Sequence, residues 1–418
     1  MAGFSSQNVV VEETISATTS TKQSYVPALI SLGVLYFMMG FITCLNDTLV
    51  PFFKNSFTLN YSQSSLVQFY FFLTYGIASI PAGKIVERIG YKNGMVTGFC
   101  IAALGALLFF PASILHEYYI FLAALFVLAL GIVMLQVAAN PYITVLGPAK
   151  TASSRFTLIQ GIGSLGTTVA PIFGAHYILS GLTEQQASSS DAVKYPYLGI
   201  TALLLIIAGT VYVLKLPQIK GGSAEAAEQD IDQNRGVLSF RNLKLGIVAL
   251  FFYVGAEVSI GTFLTNYIAD TLSISEAAAN TYVAFYWGSM IVGRLFGAVI
   301  LNYLKPSSVL TFCGIAAMGL IAISLSTGGS IAVWSMIGVG LFNSVMFAVI
   351  FSLAVNGVGK YTTRASGYLS TAIAGGAIIS YSQGLLIDHY NWTIAFTLPL
   401  LCYLYIVFYG INGYKTNK

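Results

Sequence analysis

Charge is scarce in this chain. Only 8% of its 418 residues are Asp, Glu, Lys or Arg, while 56% are hydrophobic. Soluble domains usually carry about 25% charged residues, so a wholly water-facing exterior is excluded and lipid must solvate much of the surface. The mean hydropathy of +0.78 points the same way. Cysteine is sparse too. Cys44, Cys100, Cys313 and Cys402 stand singly in apolar stretches, which excludes a disulfide framework and metal-ligand spacing. The three histidines, His116, His176 and His389, are far apart in sequence. No Walker loop, G-x-S-x-G elbow or H-E-x-x-H helix occurs, so the reading is of a non-enzyme without an ATP site. Nor does a basic stretch lead into a short apolar core at the start, as a secretory signal requires. Residues 1–24 are polar and Ser/Thr-rich and read as a disordered cytoplasmic tail. The net charge of +4 comes from scattered residues and offers no patch for nucleic acid.

What the chain has in abundance is apolar length. A membrane-spanning helix needs about 20 mostly apolar residues. Twelve such runs are present: 26–53, 63–82, 92–111, 118–146, 155–179, 196–215, 243–268, 278–301, 307–325, 330–356, 364–386 and 391–412. The 41 Gly suit close packing of helices in lipid, and the 28 Phe and 26 Tyr suit lipid-facing and interfacial positions. The polar segment 216–242, with four acids and no apolar stripe, reads as a cytoplasmic linker. It divides the chain into six-helix halves at 25–215 and 243–412, with a short cytoplasmic tail at 413–418. With both termini inside, 17 of the 19 basic residues, Arg294 among them, fall on the cytoplasmic side and only Lys54 and Lys194 fall outside. That is the expected bias of a multi-pass inner-membrane protein. The halves resemble each other at a spacing of 209 residues, which aligns Arg155 with Arg364 and Gly166 with Gly375. Two parallel repeats joined at the midpoint is a transporter plan.

Against this background a few polar residues inside spans stand out. Asp47, in "GFITCLNDTLVPFF", is an intramembrane carboxylate. Such groups are expensive in lipid and usually face a bundle interior or a water-filled cavity. A carboxyl group held in low dielectric is a candidate to take up and release a proton. Shifting Asp47 by the repeat spacing lands one residue from Glu257, in "FFYVGAEVSIGTFL", so each half places an acid at nearly the same depth of its first helix. One acid could couple a cation and the other bind substrate, or either could hold two helices together. Gln136 and Asn140 share a helix face at i,i+4, just before Pro141. Their amides both donate and accept, which suits a neutral polyol. Gln160, Asn343 and Asn46 join them as candidate substrate ligands, and Trp287 as a ring on which a sugar face could pack. Interhelical hydrogen bonding is the alternative for each amide. Gly83, Glu87, Arg88, Gly90 and Lys92, in "GKIVERIGYKNG", are expected in the turn after the second span, as a gating latch or as topology-setting charge.

These residues carry a resemblance. "GKIVERIGYK" at 83–92 is similar to the signature loop of the major facilitator superfamily. "FITCLNDTLVPFF", "QVAANPYITVLG", "SSRFTLIQGIGSLGTTVAPIFG", "FFYVGAEVSIG" and "LFNSVMFAVIFSLA" resemble the fucose–galactose–glucose/proton symporter family across both halves. Gln136 stands where the fucose branch carries Glu, and Glu257 matches the glucose/galactose branch. Gly163 stands where members often carry Asn, and Thr43 and Cys44 where the fucose branch does. The resemblance implies an all-α fold of twelve helices in two six-helix bundles, working as a monomer by alternating access. It implies import of a neutral hexose, glucose or galactose before fucose, by symport with H+ rather than Na+, without a cofactor, and coupling at Asp47. A non-transporting sugar sensor is the reading from a different class.

Overall fold

The structure is a computed structural model that describes residues 26–57, 66–174, 193–214, 216 and 236–416. Among these residues there is no strand, and the chain forms twelve helical rods. They are α1 (Val26–Ser56), α2 (Leu66–Ile89), α3 (Tyr91–Leu115), α4 (Tyr118–Val145), α5 (Ala152–Gly174) and α6 (Lys194–Val213) in the first half. The second half holds α7 (Arg241–Leu272), α8 (Glu276–Ile300), α9 (Pro306–Ser326), α10 (Gly329–Val355), α11 (Gly359–His389) and α12 (Trp392–Gly413). Each rod matches one expected span. The 1–24 tail and most of the 216–242 linker lie outside the described residues. Of that linker, Arg241 and Asn242 already belong to α7.

Within each half the rods pack into a bundle: α1 on α5 and α4 on α3 in the first, α7 on α11 and α10 on α9 in the second. The described basic residues other than Lys54 and Lys194 gather toward one end, called here the basic end. Ten rods are long and apolar enough to cross a bilayer within the described residues. The described parts of α2 and α5 fall short, and α8 and α11 are the least apolar of the ten. These four are the rods through which the bundles chiefly meet, as α2 on α11 and α5 on α8. Their lower hydropathy has a cause: one face of each contacts protein of the other bundle rather than lipid, and there polar side chains find partners.

One sequence expectation needs correction here. Gly83, Glu87 and Arg88 are not in a turn. They lie on α2, which runs seven residues past the expected span end at 82, because Lys84, Glu87 and Arg88 lower hydropathy without weakening a helix. Gly90 alone makes the turn, at φ +83°, a conformation that side chains with a Cβ rarely adopt. Lys92 stands in the first turn of α3. Arg294, counted on the cytoplasmic side, lies inside the expected span 278–301. It sits within α8, six residues before Ile300, and is half-buried.

Candidate functional site

Each bundle gathers buried polar side chains of its own. On α4, Asn140 is 2% exposed and accepts a hydrogen bond from the Tyr36 hydroxyl of α1. One turn earlier, Gln136 meets the hydroxyl of the buried Tyr75 on α2. Its Oε1 is buried without a protein partner. Pro141 has no N–H to give the helix ladder, and Thr144 Oγ1 bonds its carbonyl at 2.7 Å. On α5, the Oε1 of Gln160 is also buried without a protein partner. Thus α4 and α5 present amide acceptors that the fold leaves unengaged.

The second bundle answers with a tyrosine cage. Asn343 lies on α10 where the helix breaks at Ser344–Val345, and it is fully buried. Its Nδ2 donates to the Tyr286 hydroxyl of α8 at 3.1 Å, and its Oδ1 accepts from Tyr403 of α12 at 2.7 Å. Its carbonyl, released by the break, accepts from Tyr253 of α7 at 3.1 Å. Irregular backbone at membrane depth survives only where such donors satisfy it. Glu257 is half-buried beside this cage. Tyr253 and Arg294 act on its carboxylate electrostatically, and Tyr286 bonds its backbone carbonyl at 3.4 Å. Trp287 packs its indole against Gly261 of α7 and edge-on against Tyr286, with centroids 5.1 Å apart. Asp47 and Asn46 are on helical backbone of α1, and their side chains lie outside the described residues.

The structure therefore brings Gln136 and Asn140 together on one side and Glu257, Asn343 and Trp287 together on the other. The candidate latch residues separate. Glu87 Oε2 accepts from Arg364 Nε across the bundles at 2.5 Å, the only ion pair among the described residues. Next to it Thr363 Oγ1 donates to the Tyr91 hydroxyl at 3.0 Å. Gly83 faces Gly367 so closely that a Cβ on Gly83 would come 3.3 Å from the Gly367 Cα. Lys92 instead lies over the Tyr212 ring of its own bundle at 5.7 Å, and Arg88 is exposed. Sequence reading missed Arg364 as the partner of Glu87, although the repeat singles Arg364 out. It also missed Tyr75, Tyr253 and Tyr403, because a tyrosine inside an aromatic-rich span carries little distinguishing signal.

Among the described residues no group of three or more His, Cys, Asp or Glu is placed to hold a metal. The contacts between bundles concentrate toward the basic end, while α1 and α7 are not among the rods packed extensively across the divide. The model of the Major Facilitator Superfamily matches residues 32–381. A glucose/galactose transporter of Brucella abortus is 47% identical over 401 residues, covering 95% of this chain and 97% of that one. The L-fucose-proton symporter of Escherichia coli is 30% identical, covering 93% of each. The crystal structure of the superfamily transporter FucP in the outward conformation superposes with a TM-score of 0.81 at 30% identity, over 93% of this chain and 99% of that one. Two six-helix bundles, and likeness over nearly the full length, lead to one conclusion: the chain belongs to the Major Facilitator Superfamily.

Proposed function

We propose that this protein is a secondary active transporter that imports glucose or galactose together with a proton, by alternating access. The observation that carries this reading is the 47% identity to a glucose/galactose transporter over 95% of the chain. The unengaged acceptors of Gln136 and Gln160 support it, since a sugar hydroxyl supplies the donor each lacks. Glu257 is then the strong acceptor on the opposite bundle, with Trp287 and Asn46 beside the sugar and Asn140 and Asn343 completing the polar lining. The L-fucose-proton symporter at 30% identity supports a proton as the coupled ion, and Asp47 is its carrier.

The basic end faces the cytoplasm by the positive-inside bias, which puts both termini of this inner-membrane carrier there. The contacts between bundles at that end then describe a carrier closed inward, in line with the outward conformation of FucP. Glu87, Arg88, Gly83, Gly90 and Lys92 belong to the gate that opens there.

The test is uptake of labelled glucose into proteoliposomes under separately imposed pH and Na+ gradients, with competition by galactose and fucose. Inward proton gradients should drive accumulation, galactose should compete and fucose should not. Asp47→Asn should abolish accumulation while keeping sugar exchange, because Asn keeps the size and loses the titrating group. Uptake driven by Na+ alone would sink the proton assignment. Accumulation by Asp47→Asn at the wild-type level would sink the coupling site.

A further inference from the structure

A guanidinium inside a membrane span must be paired, because lipid offers it no solvation. Arg294 is paired in an unexpected way. Its Nη1 donates to Ser164 Oγ of α5, on the other bundle. Its Nε donates to the Ser344 carbonyl at 3.3 Å, where α10 breaks. Gly161 leaves room for it one turn away on α5, where an added Cβ would lie 3.5 Å from the Arg294 Cβ. Among the described residues no acid is within ion-pair distance of Arg294, yet one acid acts on it through space, Glu257 on the neighbouring α7. The other groups turned toward Glu257 are Tyr253 of its own helix, Tyr286 of α8 and Tyr403 of α12, all hydroxyls. Among the described residues Arg294 is therefore the only cation acting on this carboxylate.

The bond to Ser164 cannot survive opening of the basic end. Ser164 moves with the first bundle and Arg294 with the second, so parting α5 from α8 removes the acceptor. The guanidinium keeps five N–H donors in a low dielectric, and Glu257 is the anionic acceptor within its own bundle. We propose that Arg294 exchanges Ser164 for Glu257 as the basic end opens, and that its capture of the carboxylate displaces the sugar hydroxyls and triggers release. This rests on the reading that Glu257 accepts hydroxyls of the sugar. Arg294 acts through Glu257 and is a positioning residue. Its effect is a sugar site that is weaker when open to the basic end than when open to the opposite end.

The experiment measures KM for labelled glucose in influx and in efflux with the full-length protein in vesicles. Wild type should show an efflux KM at least about fivefold above the influx KM, the lower end of ordinary coupling. Arg294→Gln should bring the two together by lowering the efflux KM, with the influx KM held within about twofold. Arg294→Lys, which keeps the charge, should retain part of the asymmetry. Ser164→Ala frees Arg294 before opening and should raise the influx KM while leaving the efflux KM unchanged. These variants distinguish the exchange from a structural role, which would alter the amount of inserted protein without moving the two constants separately. Equal constants in wild type, an intact ratio in Arg294→Gln, or an unchanged influx KM in Ser164→Ala would each overturn the proposal. Glu257→Gln separates the two levels of the argument. If it raises KM on both faces while Arg294→Gln keeps the ratio, only the exchange fails. If it changes neither constant, Glu257 is not a sugar ligand and the site assignment fails first.

Discussion

The two bundles carry different buried chemistry. The first presents amides with acceptors still unengaged: Gln136 and Gln160 each bury an Oε1 that no protein donor reaches. The second buries an amide whose polar groups are already held, Asn343, by tyrosines from three rods. The same contrast holds along the seams. Both arginines that cross between bundles, Arg294 to Ser164 and Arg364 to Glu87, come from the second bundle, and both acceptors come from the first. The repeat explains where this asymmetry comes from. Arg155, the counterpart of Arg364, bonds the Pro148 carbonyl at 2.8 Å and the Thr144 carbonyl at 3.2 Å within its own half. The division is one of emphasis, since Gln383 of the second bundle also buries an amide without a protein partner and Ser154 of the first donates across the seam to the Ala298 carbonyl.

Three substitutions probe that division, in falling order of effect. Asn343→Ala should be the most damaging to stability. It leaves the Tyr403 hydroxyl without its acceptor and the Tyr286 hydroxyl without its donor inside a buried cage. At about 1–3 kcal/mol for each unsatisfied group, a loss of about 2–4 kcal/mol is expected. Thermal unfolding in detergent should show it, and a melting temperature equal to that of wild type would mean the cage is not structural.

Gln136→Ala should behave in the opposite way. Its amide has an unengaged acceptor, so little stability is lost, while sugar affinity should fall about tenfold, equivalent to about 1.4 kcal/mol. Equilibrium binding of glucose to the purified protein measures this. If Gln136→Ala destabilises as much as Asn343→Ala and binds sugar as wild type does, the contrast between the bundles is broken.

Glu87→Gln should have the smallest effect. The Arg364 and Glu87 side chains are 46% and 27% exposed, and an exposed ion pair contributes about 0–1 kcal/mol. Transport should change by a few-fold at most at low ionic strength, and the difference should fade as salt is added. A large, salt-independent loss would show that the rim pair, and not the buried α5–α8 contact, holds the basic end shut.

Much of this arrangement is legible in the sequence. Each of the twelve expected spans coincides with a rod, because twenty apolar residues have no stable alternative to a helix in lipid. The prominence of Gln136, Asn140, Glu257 and Asn343 rests on the cost of polar groups in apolar runs. The errors share one origin. Hydropathy treats every charge as a mark of the aqueous rim, so it cuts α2 short at 82 and puts Gly83, Glu87 and Arg88 in a turn. A charged residue can continue a helix, and it can lie within a span when another bundle supplies its partner.

The sequence by itself determined the number of rods, their order, the two-bundle plan and which residues are too polar to face lipid, because each of these follows from local composition and the solvent it requires. Only the tertiary structure decided who meets whom. Glu87 and Arg364 are 277 positions apart and Ser164 and Arg294 are 130 apart. Neither pairing is written in any window of the chain. Each exists because two separately formed bundles dock along α2–α11 and α5–α8, and because Gly83 against Gly367 and Gly161 beside Arg294 let the helices approach closely enough for those side chains to touch.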